Sequence, residues 1–180
     1  MTRPKDRYHH CAFHAPPGFV LEERACAIAA AGDCDHCHPP GGGITLTLIR
    51  RVAAVGVPDW STSQSDLRPS LFPATLTLTT PDRQSFATPL DYLRTAEGVL
   101  APGLPGYRLD FCRPRQLRQR PAACAQARFR SGLELLRLAI AWEQGPNLLV
   151  ASLILAAAGA AGSWGQLEAF AESVELSISG

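Results

Sequence analysis

The chain has 180 residues, of which 46% are hydrophobic, and its formal net charge at pH 7 is +1. This length is enough for a single domain, residues 1–180, that buries a core without help from disulfides or metal. The near-zero charge excludes a general electrostatic attraction to nucleic acid or to anionic membranes.

The N-terminal segment, residues 8–43, is rich in histidine and cysteine, with all five histidines and four of the six cysteines between positions 9 and 38. The pairs Cys11-x2-His14 and Cys34-x2-Cys37 could supply the four ligands of a tetrahedral zinc site. The alternative is a set of reduced thiols that bind no cofactor, buried or in loops, and this is the favoured interpretation.

The first predicted strand lies within this segment, and the next two lie on either side of a predicted loop. Tyr8–His14 has the pattern of a short strand, and residues 44–50 alternate aliphatic with threonine side chains, as a strand with one core face does. Residues 56–74 are rich in proline and serine and predict a long loop. Thr75–Thr80 is a second alternating strand, with Leu76 and Leu78 directed inward.

A helix and two strands are predicted next. Thr88-Pro89 combines an N-cap hydroxyl with proline at the first helical position, and Pro102-Gly103 ends the helix. Strands follow at Tyr107–Cys112 and Cys124–Ser131, joined by a connection rich in arginine and proline. In the first strand, Tyr107, Leu109 and Phe111 are predicted to share a face.

Residues 133–157 predict a long hairpin with a turn at 144–147 and apolar side chains on both faces of each strand. Two apolar faces need two covers, either the protein's own helices or a partner. The apolar run 148–162 is shorter than the roughly 20 residues that a spanning helix requires. The N-terminus lacks the apolar stretch of a signal peptide, so we expect a cytoplasmic protein without membrane insertion.

A second helix closes the chain. Ser163-x-x-Gln166 is predicted to be a capping box, with Leu167, Phe170 and Val174 on the buried stripe. A last short strand is predicted near Leu176. Taken in order, these elements predict an α+β fold: a mostly antiparallel sheet packed by two principal helices.

Catalytic signatures are absent from the sequence: it has no phosphate-binding glycine loop, zinc-protease pair or nucleophile elbow. We therefore expect a protein that is not an enzyme. An arginine-rich stretch without acids lies between Asp110 and Glu134 and could bind phosphate. It lacks interleaved aromatic residues and a groove-entering helix, so we expect solvated side chains and no nucleic-acid partner.

Several segments in order resemble the DcrB-related family, which has a PsbP-like fold. They are Thr-Pro-Leu-Asp-Tyr-Leu, Leu-Pro-Gly-Tyr-Arg-Leu, Ala-Gln-Ala-Arg-Phe-Arg and Gly-Leu-Glu-Leu-Leu-Arg-Leu-Ala-Ile-Ala-Trp, followed by Trp164-x5-Phe170-x3-Val174. The resemblance covers roughly residues 71–176. Members without a signal peptide are similar to the Eag-type chaperones of bacterial type VI secretion, although the His/Cys-rich segment departs from the family's usual N-terminus.

This resemblance implies a homodimeric, non-catalytic chaperone or adaptor. Its partner would be the apolar N-terminal region of a secreted Rhs- or spike-tip-type toxin, whose transmembrane helices it would keep soluble until loading. The alternatives are a small-ligand- or lipid-binding DcrB-like module and a zinc-stabilised protein-binding domain. On the hairpin, the predicted groove residues are Leu133, Leu135, Leu149 and Leu153, with plain core as the competing interpretation.

Overall fold

The structure, a computed structural model, describes residues 6–8, 11–21, 45–50, 73–81 and 86–176. The helices are α1 (Pro89–Leu100) and α2 (Ser163–Ser173). The strands are β1 (Asp6–Tyr8), β2 (Cys11–Phe13), β3 (Val20–Leu21), β4 (Thr45–Arg50), β5 (Ala74–Thr79), β6 (Arg108–Leu117), β7 (Arg120–Ser131), β8 (Leu133–Gln144), β9 (Asn147–Ala156) and β10 (Glu175–Leu176).

Most of these strands form one antiparallel sheet. Its seven strands lie in the order β3-β4-β5-β9-β8-β7-β6, and β1, β2 and β10 form a separate sheet of three strands. The hairpin β8–β9 is therefore central, as its apolar faces require. The predicted fold class, a mostly antiparallel sheet with two helices, is confirmed.

The alternating strands form where the pattern predicts them. Leu46 pairs with Leu78 and Leu48 with Leu76, and all four side chains are buried in the core cluster. Their threonine neighbours point to the opposite face of the sheet, because side chains alternate along a strand.

Helix α1 also begins and ends as predicted. The Thr88 hydroxyl accepts the Asp91 backbone N–H at 3.1 Å, and Pro89 is the first helical residue. A short 3-10 turn at Ala101–Gly103 ends the helix. The cap and the proline therefore specify the helix start locally.

The segment between the predicted strands β6 and β7 is not the irregular connection that its prolines indicated. Both strands run through it, and a two-residue turn joins them at Arg118 and Gln119, which have positive φ angles of 46° and 66°. Pro114 is tolerated because β6 is the last strand of the sheet, where a missing N–H breaks no ladder bond.

A bulge in β6 makes one predicted face wrong. The register shifts between Leu109, which pairs with Ala127, and Phe111, which pairs with Gln126. The extra residue, Asp110, reverses the alternation, so Leu109 and Phe111 point to opposite faces of the sheet.

The two faces of the hairpin β8–β9 are covered by different helices. On one face, Leu138, Ile140 and Trp142 belong to the large core cluster beneath α2 and the small sheet. On the other face, Ala139 and Ala141 belong to a smaller cluster that includes Leu93 of α1. Both faces of β8 are thus buried within the chain.

Helix α2 begins one residue earlier than predicted and with a different cap. The N-cap is Gly162, which has φ 76° and no capping side chain, and Ser163 is the first helical residue. The predicted Ser163–Gln166 capping box is therefore wrong. Glycine adopts the left-handed conformation that this turn into the helix requires, so Ser163 is displaced into the helix, where it is buried.

Candidate functional site

Helix α1 lies on strands β6, β7 and β8, over a floor of small side chains. This alanine floor consists of Ala123, Ala125, Ala139 and Ala141, all 0% exposed. Alanine lets a helix approach a sheet closely but contributes little apolar area. The close approach is therefore held by few large side chains, chiefly Leu93.

A buried polar network joins α1 to the sheet. Glu97 of α1 is 2% exposed and Arg137 of β8 is 8% exposed, and the Arg137 guanidinium donates to one carboxylate oxygen of Glu97. The Tyr107 hydroxyl donates to the other oxygen. Both carboxylate oxygens are thus satisfied, which a buried charge requires.

This environment changes the acidity of the tyrosines around it. Burial, together with the hydrogen bond to Glu97 and the negative charge of Glu97, raises the pKa of Tyr107 far above its ordinary value. Burial also raises the pKa of Tyr92. Both phenols are therefore neutral at physiological pH, and the network serves as a structural anchor for α1.

Beside α1, the same face of the sheet is less covered. Here six α1-side positions of β4, β5 and β9 are only partly buried, whereas Leu148 and Val150 of β9 are buried in the same cluster as the alanine floor. Val20, at the outer edge of this region, is 58% exposed. We call this region the open half-face, defined by Thr47, Ile49, Thr75, Thr77, Ser152 and Ile154.

The register arranges the open half-face in rows across the strands. Ile49 pairs with Thr75 and Thr75 with Ile154, and a second row runs from Thr47 through Thr77 to Ser152. The Thr77 hydroxyl donates to the Ser152 carbonyl at 3.4 Å. Four of the six side chains of the open half-face carry a hydroxyl, and the other two are isoleucines, so the surface offers both hydrogen-bonding groups and apolar area.

The dimensions of the open half-face suit one helix. Three neighbouring strands span about 14 Å, and a helix with its side chains is about 10–12 Å wide. Strands β4 and β5 each have six residues, which corresponds to about 20 Å, or roughly 13 helical residues. Helix α1 would form one wall of such a site.

The predicted groove residues do not share one face. Leu149 and Leu153 lie in the core cluster beneath α2 and are 0% and 2% exposed. Leu135 is 2% exposed and points to the other face, because it neighbours Leu136 of that core cluster. Leu133 is only partly buried.

The predicted zinc ligands lie in different surroundings or outside the described residues. Cys11 is a free thiol in the core cluster, and burial raises its pKa to about 11. His14 lines a surface cleft instead, while Cys34 and Cys37 lie outside the described residues. Within the described ranges, no group of three or more His, Cys, Asp or Glu side chains could hold a metal ion.

Three of the six arginines in the arginine-rich stretch form ion pairs with acidic side chains. Arg115 pairs with Glu168 at 2.6 Å and Arg118 with Glu172 at 3.2 Å, both on α2. Arg128 pairs with Asp110 at 2.9 Å. The first two pairs fasten α2 to the edge of the sheet, and the third joins β6 to β7.

Two features of this face were not predicted from the sequence, and the signals for them differ. The open half-face follows from the threonine alternation in β4 and β5, which was correctly predicted to point away from the core. The Glu97–Arg137 pair joins residues 40 positions apart, and a local sequence pattern does not predict a contact over that separation.

No protein-family model matches this chain, and no curated protein matches it. Among solved structures, it is similar to PA94 of Pseudomonas aeruginosa, a protein of unknown function, with 19% identity, a TM-score of 0.48 and coverage of 68% of this chain and 79% of that one. LpqN of Mycobacterium tuberculosis, involved in cell envelope biogenesis, shows 14% identity and a TM-score of 0.44, covering 93% of this chain and 83% of LpqN.

A third similar structure is the cyanobacterial PsbP (CyanoP) of Synechocystis sp. PCC 6803, with 13% identity, a TM-score of 0.45 and coverage of 93% of this chain and 86% of CyanoP. These likenesses carry no conclusion about the family or the activity of this chain. Neither helix in the described ranges is long and apolar enough to cross a membrane.

Proposed function

We propose that this protein is a non-catalytic chaperone or adaptor that holds an apolar helix of a partner protein on its open half-face. The uneven cover of one sheet face carries the proposal: α1 buries the alanine floor, while the six residues of the open half-face, on β4, β5 and β9, are only partly buried. Helix-in-groove recognition uses such a surface, since apolar contacts give affinity and a few polar groups orient the helix.

The resemblance of the sequence to Eag-type chaperones supports a finer proposal about the partner. The helix would belong to the apolar N-terminal region of a type VI secretion effector, bound in the cytoplasm before loading on the secretion spike. The open half-face fits about 13 helical residues, so one such site would shelter part of a transmembrane segment. A longer segment would need further surface, for example from a second copy.

The homodimer implied by the resemblance would not use the β6 edge. Pro114 lacks an N–H, and Arg108, Arg113 and Arg115 would approach the arginines of a second β6 strand. Proline and like charges are devices that protect sheet edges from pairing. We propose that a dimer forms through another surface, which crosslinking combined with size-exclusion chromatography would locate.

A defined peptide tests the binding surface. The probe is a fluorescein-labelled 20-residue Leu/Ala helix with lysine ends, measured by fluorescence anisotropy. Thr77→Arg places a charge at the centre of the open half-face and should weaken binding about tenfold or more, since an unpaired charge is costly in an apolar contact. Thr95→Arg, on the exposed side of α1, is the matched control and should leave binding unchanged.

If wild type and Thr77→Arg bind the peptide equally well, the proposal that the open half-face is the binding site is wrong. The finer proposal needs a second test, co-expression with a toxin encoded beside the gene for this protein. The toxin's apolar N-terminus should aggregate without this protein and stay soluble with it. If the peptide binds but the toxin is equally soluble alone, the helix-binding surface stands and the secretion role fails.

A further inference from the structure

Arg137 stands beside the last row of the open half-face. The register places Arg137 of β8 next to Ile154 of β9, in the row that continues to Thr75 and Ile49. Their side chains point to the α1 side of the sheet, because residues paired across strands share a face. This row lies near the end of β4. Arg137 therefore borders the open half-face at one end.

The guanidinium of Arg137 has more hydrogen-bond donors than partners among the described residues. A guanidinium carries several N–H donors in a planar fork, and Arg137 donates to Glu97 from Nη1. The Arg137 side chain is only 9% exposed. None of its nitrogens, however, is among the fully enclosed, unpartnered side-chain atoms of the described residues. The nitrogens that do not bind Glu97 therefore reach the surface of the protein.

The surroundings of Arg137 show which way these donors face. Its neighbours on the same face of β8, Leu135 and Ala139, are 2% and 0% exposed. Its neighbour on β7, Ala127, is 0% exposed. On the other side, Ile154 of β9 is only partly buried. Three of the four adjoining side chains are thus sealed, and the donors face the fourth, on the open half-face.

The charge of Arg137 is already balanced by Glu97, which restricts what these donors can bind. Because the ion pair carries no net charge, its unpaired donors need a hydrogen-bond acceptor rather than a second carboxylate. The last carbonyl groups of an α-helix lack partners within the helix and carry partial negative charge. A helix that lies along the open half-face presents these carbonyls at one end, and Arg137 lies at such an end.

We infer that Arg137 caps the C-terminal end of the bound helix and thereby fixes the direction of that helix on the open half-face. This inference rests on the proposed function. The partner helix runs in the direction of β9, with its N-terminal part toward Thr79 and its C-terminal end at Ile154. Arg137 therefore recognises the polarity of a helix backbone, which an apolar segment offers whatever its side chains are.

Paramagnetic relaxation in NMR measures this direction. The probe is the 20-residue Leu/Ala peptide with lysine ends, amidated so that its C-terminus offers carbonyl groups and no carboxylate. A nitroxide label is attached to a cysteine at one end or the other. The C-terminal label should broaden the methyl signals of Ile154 and Ile49 more than that of Thr79, and the N-terminal label should do the reverse.

A double variant removes the cap without leaving a buried charge. Glu97→Leu/Arg137→Met should weaken peptide binding about tenfold, through the lost hydrogen bond to a charged donor. Each label should then broaden the signals at both ends of the open half-face alike. Arg94→Met, which replaces an exposed arginine of α1, is the matched control and should change neither the affinity nor the direction.

The results distinguish this inference from the proposed function. If the peptide binds wild type in both directions, Arg137 does not cap it, and this measurement needs no variant. The same conclusion follows if the double variant keeps the affinity and direction of wild type. In both cases the binding surface still stands on the weaker binding of Thr77→Arg. If wild type does not bind the peptide at all, the proposed function and this inference fail together.

Discussion

The two helices are attached to the same sheet in different ways. Helix α2 contributes Leu167 and Phe170 to a core that includes Trp142, and its ion pairs lie at the surface. Helix α1 rests on alanines and has its ion pair in the interior. Apolar burial therefore dominates on the α2 face, whereas the α1 face depends on a satisfied polar network to hold its helix in one place.

The largest expected effect concerns the buried pair beneath α1. Glu97→Leu leaves the Arg137 charge buried and unpaired, and should lower the free energy of unfolding by about 3–5 kcal/mol. The double variant Glu97→Leu/Arg137→Met should recover most of this loss, because two apolar side chains need no partner. Urea unfolding measures both, and a single variant that costs less than about 1 kcal/mol would show that the pair is hydrated.

The dependence of the unfolding free energy on pH above pH 10 tests the polar network beneath α1 a second time. The folded-state pKa of Tyr107 lies above its ordinary value of 10.0. The stabilisation that the neutral Tyr107 phenol gives the folded state is therefore complete below pH 10, and it is lost as pH rises through the folded-state pKa. Tyr107→Phe should cost about 1.5–3 kcal/mol at neutral pH, from the hydrogen bond to a charged group. It should also flatten the decline of the unfolding free energy above pH 10, measured by urea unfolding against pH; an unchanged decline would contradict the coupling to Glu97.

On the α2 face, removing a polar group should cost little. The Trp142 indole N–H is buried with no acceptor among the described residues. Trp142→Phe removes this unpaired donor but leaves a small cavity, so the net change should stay within about 1 kcal/mol. Trp142→Ala, the control for size, should cost about 3–5 kcal/mol. A large loss for the phenylalanine variant in thermal unfolding would mean that the indole N–H has a partner.

The smallest effect is expected at the surface pairs of α2. The Arg118 and Glu172 side chains are 64% and 36% exposed, and exposed pairs contribute about 0–1 kcal/mol. Glu172→Gln should therefore shift the urea midpoint slightly at low salt and not at all at high salt, where the charges are screened. A loss as large as that for Glu97→Leu would remove the distinction between the helices.

Local signals in the sequence predicted most helices and strands, whereas the candidate site depends on contacts between residues far apart in the chain. The cap at Thr88, the alternation in β4 and β5 and the two apolar faces of β8 could all be identified from neighbouring residues, because backbone chemistry and side-chain period act locally. The bulge at Asp110 and the left-handed cap at Gly162 could not, since each depends on what the other strand or the core requires.

The hairpin shows why the site was harder to predict from the sequence than the secondary structure. The sequence indicated that two covers were needed for residues 133–157, and it identified apolar stripes on both helices. It did not show that α1 covers the face of Leu135, because Glu97 interrupts the apolar stripe of α1 with a charge whose partner is distant. The four predicted groove leucines were accordingly distributed over two faces.

The alanine floor has a consequence for tracing the ancestry of this chain. Side chains larger than alanine at Ala123, Ala125, Ala139 or Ala141 would lift α1 from the sheet, and overpacking of this kind costs about 1–3 kcal/mol. Natural selection should therefore keep these positions small while their surroundings diverge. Homologues of low overall identity should therefore be recognisable by two features. One is small residues at alternating positions of two adjacent strands, and the other is covariation between the positions of Glu97 and Arg137.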